Sequence, residues 1–204
     1  MRPCITLIDA GIGNFGSLIS ALEFVGYDVS VARAVPRKCA DRILLPGVGN
    51  FGAAINKLRS NGFCDYVLEH TVLRQRPLLG ICVGMQVLFE GSDESREMLG
   101  FGLFDGVFNS LASVTDGLRV PHVGFNSVRH NESGIFANLA QDADFYFTHS
   151  YFLPSRFGHA NSGITSYGCD FVSAYVKDQI ASVQFHPEKS QSNGLKLLAN
   201  FATI

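Results

Sequence analysis

Pro77-Leu78-Leu79-Gly80-Ile81-Cys82-Val83-Gly84-Met85-Gln86 runs an apolar segment straight into a helical pattern with no loop between them. A strand that is hydrophobic at successive positions is buried on both faces, which is the habit of a parallel sheet covered by helices. The junction reads Gly-x-Cys-x-Gly, the form of a nucleophile elbow. The physics accounts for its glycines: strand and helix approach so closely that side chains at 80 and 84 would collide. The turn forces Cys82 into strained backbone and thrusts its sulfur out at the sheet's carboxyl edge. There the helix N-terminus favours thiolate, and the Val83 N–H is placed to stabilise an oxyanion. The competing interpretation is a small buried cysteine between helix-packing glycines.

Working outward, strand patterns at Cys4–Ile8, Asp28–Ala32, 42–45 and 77–81 alternate with helical periods at 15–25, Phe51–Ser60, 64–73 and 83–90. Gly26 ends the first helix, and Pro46 and Gly47 close the third strand. Such alternation builds a parallel sheet with helices on both sides. The second half is strand-like at 119–128, 145–152, 171–176 and 180–185, with a tight hairpin over 175–180 and a closing helix at 192–201. The expected fold is α/β: a mostly parallel central sheet, helices on both faces, and a partly antiparallel second half. No internal repeat or linker divides it, so 1–204 is expected to form a single domain.

Composition narrows the function. A hydrophobic share of 47% with 17% charged residues suits a well-buried globular chain. A net charge of −2 argues against a nucleic-acid binder, which carries a basic face. The longest apolar stretch, 77–89, falls short of the roughly 20 residues a spanning helix needs. Residues 1–9 carry one Arg and end in an acid, without the small-residue cleavage site of a signal peptide. A cytoplasmic protein is expected. Five scattered cysteines with no CxxC pair argue against a disulfide framework or a thiolate metal site. No His/Cys/Asp/Glu spacing suggests a metal.

A thiolate nucleophile needs a base. His186 stands at a strand end in Gln184-Phe185-His186-Pro187-Glu188-Lys189-Ser190, with Glu188 two residues on and able to reach its other ring nitrogen. A carboxylate there fixes the tautomer and stabilises imidazolium, which completes a Cys-His-Glu triad. His149, in Thr148-His149-Ser150-Tyr151, is the rival base. His70, His122, His130 and His159 have bland polar or loop settings. Pro46-Gly47-Val48-Gly49-Asn50-Phe51 follows the third strand, and its Val48 or Gly49 N–H is a candidate oxyanion donor. Against these stands Gly11-Ile12-Gly13-Asn14-Phe15-Gly16, formally a dinucleotide fingerprint. The acid expected after the second strand is absent, however, and Arg33 stands there instead.

Taken together, Pro-Gly-Val-Gly-Asn-Phe, Gly-Ile-Cys-Val-Gly-Met-Gln, His-Ser-Tyr and Gln-Phe-His-Pro-Glu-Lys-Ser resemble the class I, triad-type, glutamine amidotransferases of flavodoxin-like fold. Within them the chain is most similar, nearly end to end, to glutaminase subunits of imidazole glycerol phosphate synthase. The resemblance implies attack of Cys82 on the glutamine carboxamide, with His186 moving protons and Glu188 orienting it. It implies an oxyanion hole of Val48, Gly49 and Val83, and glutamine contacts from Gly47, Gln86, His149, Ser150 and Tyr151. No cofactor is implied. Ammonia would be channelled to a (β/α)₈ cyclase subunit in a heterodimer, with Asn14, Phe125 and Lys189 facing that partner. There it would yield imidazole glycerol phosphate and aminoimidazole carboxamide ribotide for histidine biosynthesis. The chain departs from that pattern at Val123 and Phe125, where members of the histidine pathway typically carry Met and Trp. A paralogous group supplies ammonia for amidating sugars in surface polysaccharide (O-antigen) synthesis, and the departure keeps that acceptor in view.

Overall fold

The computed structural model describes residues 2–13, 15–114 and 116–204. The first half alternates β1 (Cys4–Ile8), α1 (Gly16–Phe24), β2 (Asp28–Ala32), β3 (Ile43–Gly47), α2 (Phe51–Ser60) and α3 (Phe63–Leu68). It continues through a π-helical turn (Glu69–Leu73) into β4 (Leu78–Cys82) and α4 (Val83–Gln86). Asn50 caps α2, its side chain accepting the Ala53 N–H at 2.9 Å. β5 (Phe89–Ser92), β6 (Phe104–Ser110), β7 (His122–Arg129), β8 (Asp142–His149), β9 (Tyr151–Pro154) and β10 (Gly163–Tyr167) follow. A hairpin of β11 (Cys169–Lys177) and β12 (Ile180–Val183) leads to the closing helix α5 (Gln191–Asn200).

The sheet runs β2-β1-β3-β4-β12-β11-β10-β7-β8. Its first five strands are parallel, and from β11 onward neighbours are antiparallel. This is the α/β arrangement expected from the sequence. β3 and β4 are buried at every residue, as a doubly covered parallel strand must be. α1 packs with α5 and α2 with α3 as helix pairs flanking the sheet. Among the described residues, no helix is long and apolar enough to cross a membrane.

Several elements differ from the sequence expectation. The helix expected over 83–90 stops after one turn. Main-chain N–H groups of Phe101, Leu103 and Gly102 take the Val87, Leu88 and Phe89 carbonyls at 2.7, 2.9 and 3.2 Å, and the chain leaves as β5. The continuous apolar run has no period to separate helix from strand there. The strand expected over 145–152 breaks at Ser150: β8 ends at His149, and β9 leaves to pair with β11 and β6. The sequence pattern does not predict β6 and β10.

Register explains where chemistry can occur. β4 lies between β3 and β12, with Gly47 opposite Cys82 and Val183 opposite Ile81. The carboxyl ends of three adjacent parallel strands therefore deliver residues 47–49, 82–83 and 184–188 to one edge, the usual binding edge of an open α/β sheet.

Candidate active site

Cys82 occupies the turn between β4 and α4 with φ 55° and ψ −114°, a conformation that L-residues rarely adopt. A Cβ on Gly80 would stand 2.7 Å from the Gly84 carbonyl oxygen, and one on Gly84 would stand 1.7 Å from the Leu45 carbonyl oxygen. The second glycine thus avoids the backbone of β3, rather than a side chain at position 80. The helix is pressed onto two strands at once, and Cys82 is left at the lip of a cavity of about 270 Å³.

His186 lines the same cavity. Its Nδ1 is 2.9 Å from Glu188 Oε1, and both side chains are buried. Pro187, Glu188 and Lys189 form a 3₁₀ turn, closed by the Ser190 hydroxyl donating to the His186 carbonyl at 2.6 Å. Main-chain pairing of the His186 N–H with the Tyr146 carbonyl, 2.8 Å, fixes the segment to β8. Burial works against an imidazolium at His186, but the Cys82 sulfur and the Glu188 carboxylate outweigh it. Together they push the His186 pKa up to about 10. The other ring nitrogen, Nε2, is buried and makes no hydrogen bond, so it is the one left for chemistry at the cavity.

His149 cannot play that part. Its Nδ1 lies 2.8 Å from the Tyr151 carbonyl and must be the donor there. Its Nε2 then accepts the Nδ1–H of His122 at 3.0 Å, while His122 Nε2 lies 3.3 Å from the Asn126 amide nitrogen. Both lone pairs of this relay are occupied, and His122, bland in sequence, is buried and stacked on Tyr167. Burial drops the pKa of His149 to about 3 and that of His122 to about 4. The relay fixes the His149–Tyr151 wall of the cavity instead of supplying a base.

This relay has a consequence for acid stability. Both folded values lie below the unfolded value of about 6.5, so on acidification the unfolded chain takes up protons first. The relay's contribution is full above about pH 6.5 and falls as the pH drops toward 4, by about 2 kcal/mol per histidine at pH 5. His186 runs the other way: its folded value is raised, so its contribution is full below about pH 6.5 and shrinks as the pH rises. Between pH 7.5 and 5 that offsets roughly 1 kcal/mol, and the relay dominates. Urea unfolding at pH 7.5 and 5 should show the lower midpoint at pH 5, and equal midpoints would count against the relay.

Val48 and Gly49 line the same cavity as Cys82. The Val48 N–H, however, donates to the Ile12 carbonyl at 3.1 Å and is turned away from the reacting position. Val83 opens α4, whose first-turn N–H groups lack partners within the helix. Gly47 packs behind this edge, against Val83. Gln86, Ser150 and Tyr151 also line the cavity.

The family model described as "Glutamine amidotransferase class-I" matches residues 6–204. The chain belongs to the class-I glutamine amidotransferase family. It is 41% identical to the imidazole glycerol phosphate synthase subunit HisH of Chlorobium chlorochromatii, covering 98% of this chain and 100% of that one. It is 38% identical to the same subunit of Herpetosiphon aurantiacus, over 98% and 94% of the two chains. Among solved structures, PurLQS from Thermotoga maritima shares the fold with a TM-score of 0.75 at 14% identity, over 100% and 99% of the chains. A structure titled a glutamine amidotransferase gives 0.72 at 16%, over 98% and 99%.

The amidotransferase also places residues at the site that sequence reasoning missed. Glu94 lines the cavity, one oxygen accepting the Phe51 N–H at 2.6 Å; its polar loop offered no signal. Gln184 is fully buried with its amide nitrogen 3.6 Å from Cys82 Sγ. A polar residue inside the apolar strand end Val183-Gln184-Phe185 was the available clue. Of the expected partner-facing residues, Asn14 lies outside the described residues. Phe125 is half exposed, and Tyr146 joins it to Lys189: the rings of Phe125 and Tyr146 are 5.6 Å apart, and Lys189 Nζ is 5.7 Å from the Tyr146 centroid. In the opening loop, Gly13 abuts Val48, and Arg33 pairs with Asp9 at 3.2 Å. Among the described residues, no group of His, Cys, Asp and Glu could hold a metal ion.

Proposed function

We propose that this chain is the glutaminase subunit of an imidazole glycerol phosphate synthase, with Cys82, His186 and Glu188 as its triad. The observation that carries the reading is the convergence of the strained Cys82 turn with the buried His186–Glu188 pair on one cavity. The Cys82 thiolate attacks the glutamine carboxamide carbon, and negative charge develops on the oxygen. The first-turn N–H of Val83 and an N–H of the 48–49 segment receive that oxyanion. The tetrahedral intermediate expels ammonia as His186 gives its proton to the leaving nitrogen. Water activated by the now neutral His186 then hydrolyses the glutamyl thioester. Glu188 holds the imidazole in one tautomer throughout. Glu94 is the carboxylate on the cavity wall suited to the substrate's α-ammonium, and Gln86 lines the same cavity.

Ammonia passes to a (β/α)₈ cyclase subunit docked on the face of Phe125, Tyr146 and Lys189. The product there is imidazole glycerol phosphate, with aminoimidazole carboxamide ribotide released. The engagement of the Val48 N–H by Ile12 supports a subunit that idles alone: the loop that abuts Val48 is the one expected to meet the partner. The isolated chain is therefore expected to release ammonia from glutamine at least ~100-fold more slowly than the complex with its liganded partner, the effect of one missing oxyanion donor. Coupled glutamate assays with and without the cyclase check this, and rapid turnover of the chain alone would overturn it. The exposed Val123 and Phe125 at that face favour testing a second acceptor, a sugar-amidating partner. Ammonia transfer to one acceptor and not the other decides between them.

A further inference from the structure

Gln184 stands two residues before His186, so along an extended chain both side chains project to the same side, toward Cys82. Phe185 between them turns into the core and stacks on Phe145, with ring centroids 4.1 Å apart. The Gln184 N–H is pinned to the Ser173 carbonyl at 2.8 Å, which extends the strand pairing beyond β12. Its side chain is fully buried and completes a chain of amides: Gln86 Nε2 donates to Gln184 Oε1 at 3.1 Å, and Gln184 Nε2 donates to Cys82 Sγ at 3.6 Å. The reverse orientation would point a carbonyl oxygen at the sulfur, which only a protonated thiol could satisfy. The donor orientation, by contrast, satisfies the Gln86 amide and the sulfur at once.

Burying an amide among apolar neighbours is costly unless every polar group is bonded, and a leucine would fill the same space without that cost. The amide is therefore there for what it bonds. We propose that Gln184 is a positioning residue that holds the Cys82 thiolate by an N–H···S⁻ hydrogen bond and is itself oriented by Gln86. Gln86 lines the cavity and commits its NH₂ to Gln184, so its Oε1 remains as an acceptor for an ammonium group of the substrate. All donors in the chain point toward the sulfur, and each bond polarises the next. Binding at Gln86 thereby strengthens the grip on the nucleophile. The inference rests on the proposal that Cys82 is the nucleophile, and its test separates the two.

The experiment is iodoacetamide alkylation of the full chain between about pH 5 and 9, resolved by peptide mass spectrometry at each of the five cysteines. Wild-type Cys82 should react faster than Cys4, which is exposed and serves as the internal reference. Gln184→Met keeps the length and removes the donor; near neutral pH its Cys82 rate should fall roughly tenfold, with the profile displaced upward by about one pH unit. Gln184→Glu, which sets a carboxylate against the sulfur, should be displaced further. At the alkaline end the Met variant should regain the wild-type rate, which a merely loosened site would not do. Wild-type Cys82 reacting no faster than Cys4 would remove the nucleophile assignment itself. Fast wild-type alkylation with an undisplaced Met profile would overturn the role of Gln184 alone. Should Gln184→Met fail to fold, Gln86→Met at the far end of the chain carries the test: its profile must also move upward, by less, and an unmoved profile overturns the inference.

Discussion

Cys82→Ala is expected to lower glutamine hydrolysis by roughly 10⁴-fold or more, because no other group near the cavity can form the thioester. The variant should still fold. The replaced side chain is nearly the same size, the 55° φ is unchanged in cost, and the loss is one small sulfur at the lip of a cavity. Glutamine should still bind, since Gln86, Glu94 and the His149–Tyr151 wall remain. Calorimetry of glutamine binding beside a steady-state glutamate assay separates the two effects. Full hydrolytic activity in the variant would sink the assignment. Loss of binding together with activity would mean that the sulfur also anchors the ground state.

Gly84→Ala is expected to be strongly destabilising. Its Cβ would sit 1.7 Å from the Leu45 carbonyl oxygen and 2.8 Å from the Leu45 carbonyl carbon, both backbone atoms of β3. No rotamer relieves a Cβ contact, so either α4 lifts from the sheet or β3 moves. Moving β3 breaks its pairing with β1 and β4; lifting α4 displaces Cys82. A loss of at least ~4 kcal/mol follows, a large part of the stability of an ordinary domain. At this chain length it lowers the melting temperature by about 8–16 °C, or prevents soluble expression. Thermal unfolding followed by circular dichroism reads the effect directly. A variant melting within a few degrees of wild type would show that the elbow is not clamped as described. Cys82→Ala is thus expected to remove the chemistry and keep the fold, whereas Gly84→Ala is expected to remove the fold that positions the cysteine.

The two results rest on information of different range. The elbow, the strand at β4, the capped helix α2 and the His186-Pro187-Glu188 turn are all readable within ten residues of chain. Each is a matter of local spacing: period two or 3.6, glycine where a Cβ cannot go, a carboxylate two residues from an imidazole. The parallel half of the sheet follows from such segments because strands buried on both faces have few ways to pack.

What only the tertiary structure decided involves partners far apart in sequence. The helix after Cys82 ends at Gln86, and the carbonyls of residues 87–89 that follow it are taken by N–H groups of residues 101–103. His149, the rival base in the sequence, has its Nε2 occupied by His122, 27 residues away. Gln184 reaches Cys82 across 102 residues, and the Val48 N–H is held by Ile12 from another loop. A hydrogen bond is short and directional, so it depends on where the whole fold sets two groups, and no local period encodes that. The sequence by itself therefore singled out Cys82 and the turn that presents it. The tertiary structure decided which histidine has both ring nitrogens engaged by other groups and which amide reaches the sulfur, because those contacts are set by distances of a few ångströms between strands that meet only after folding.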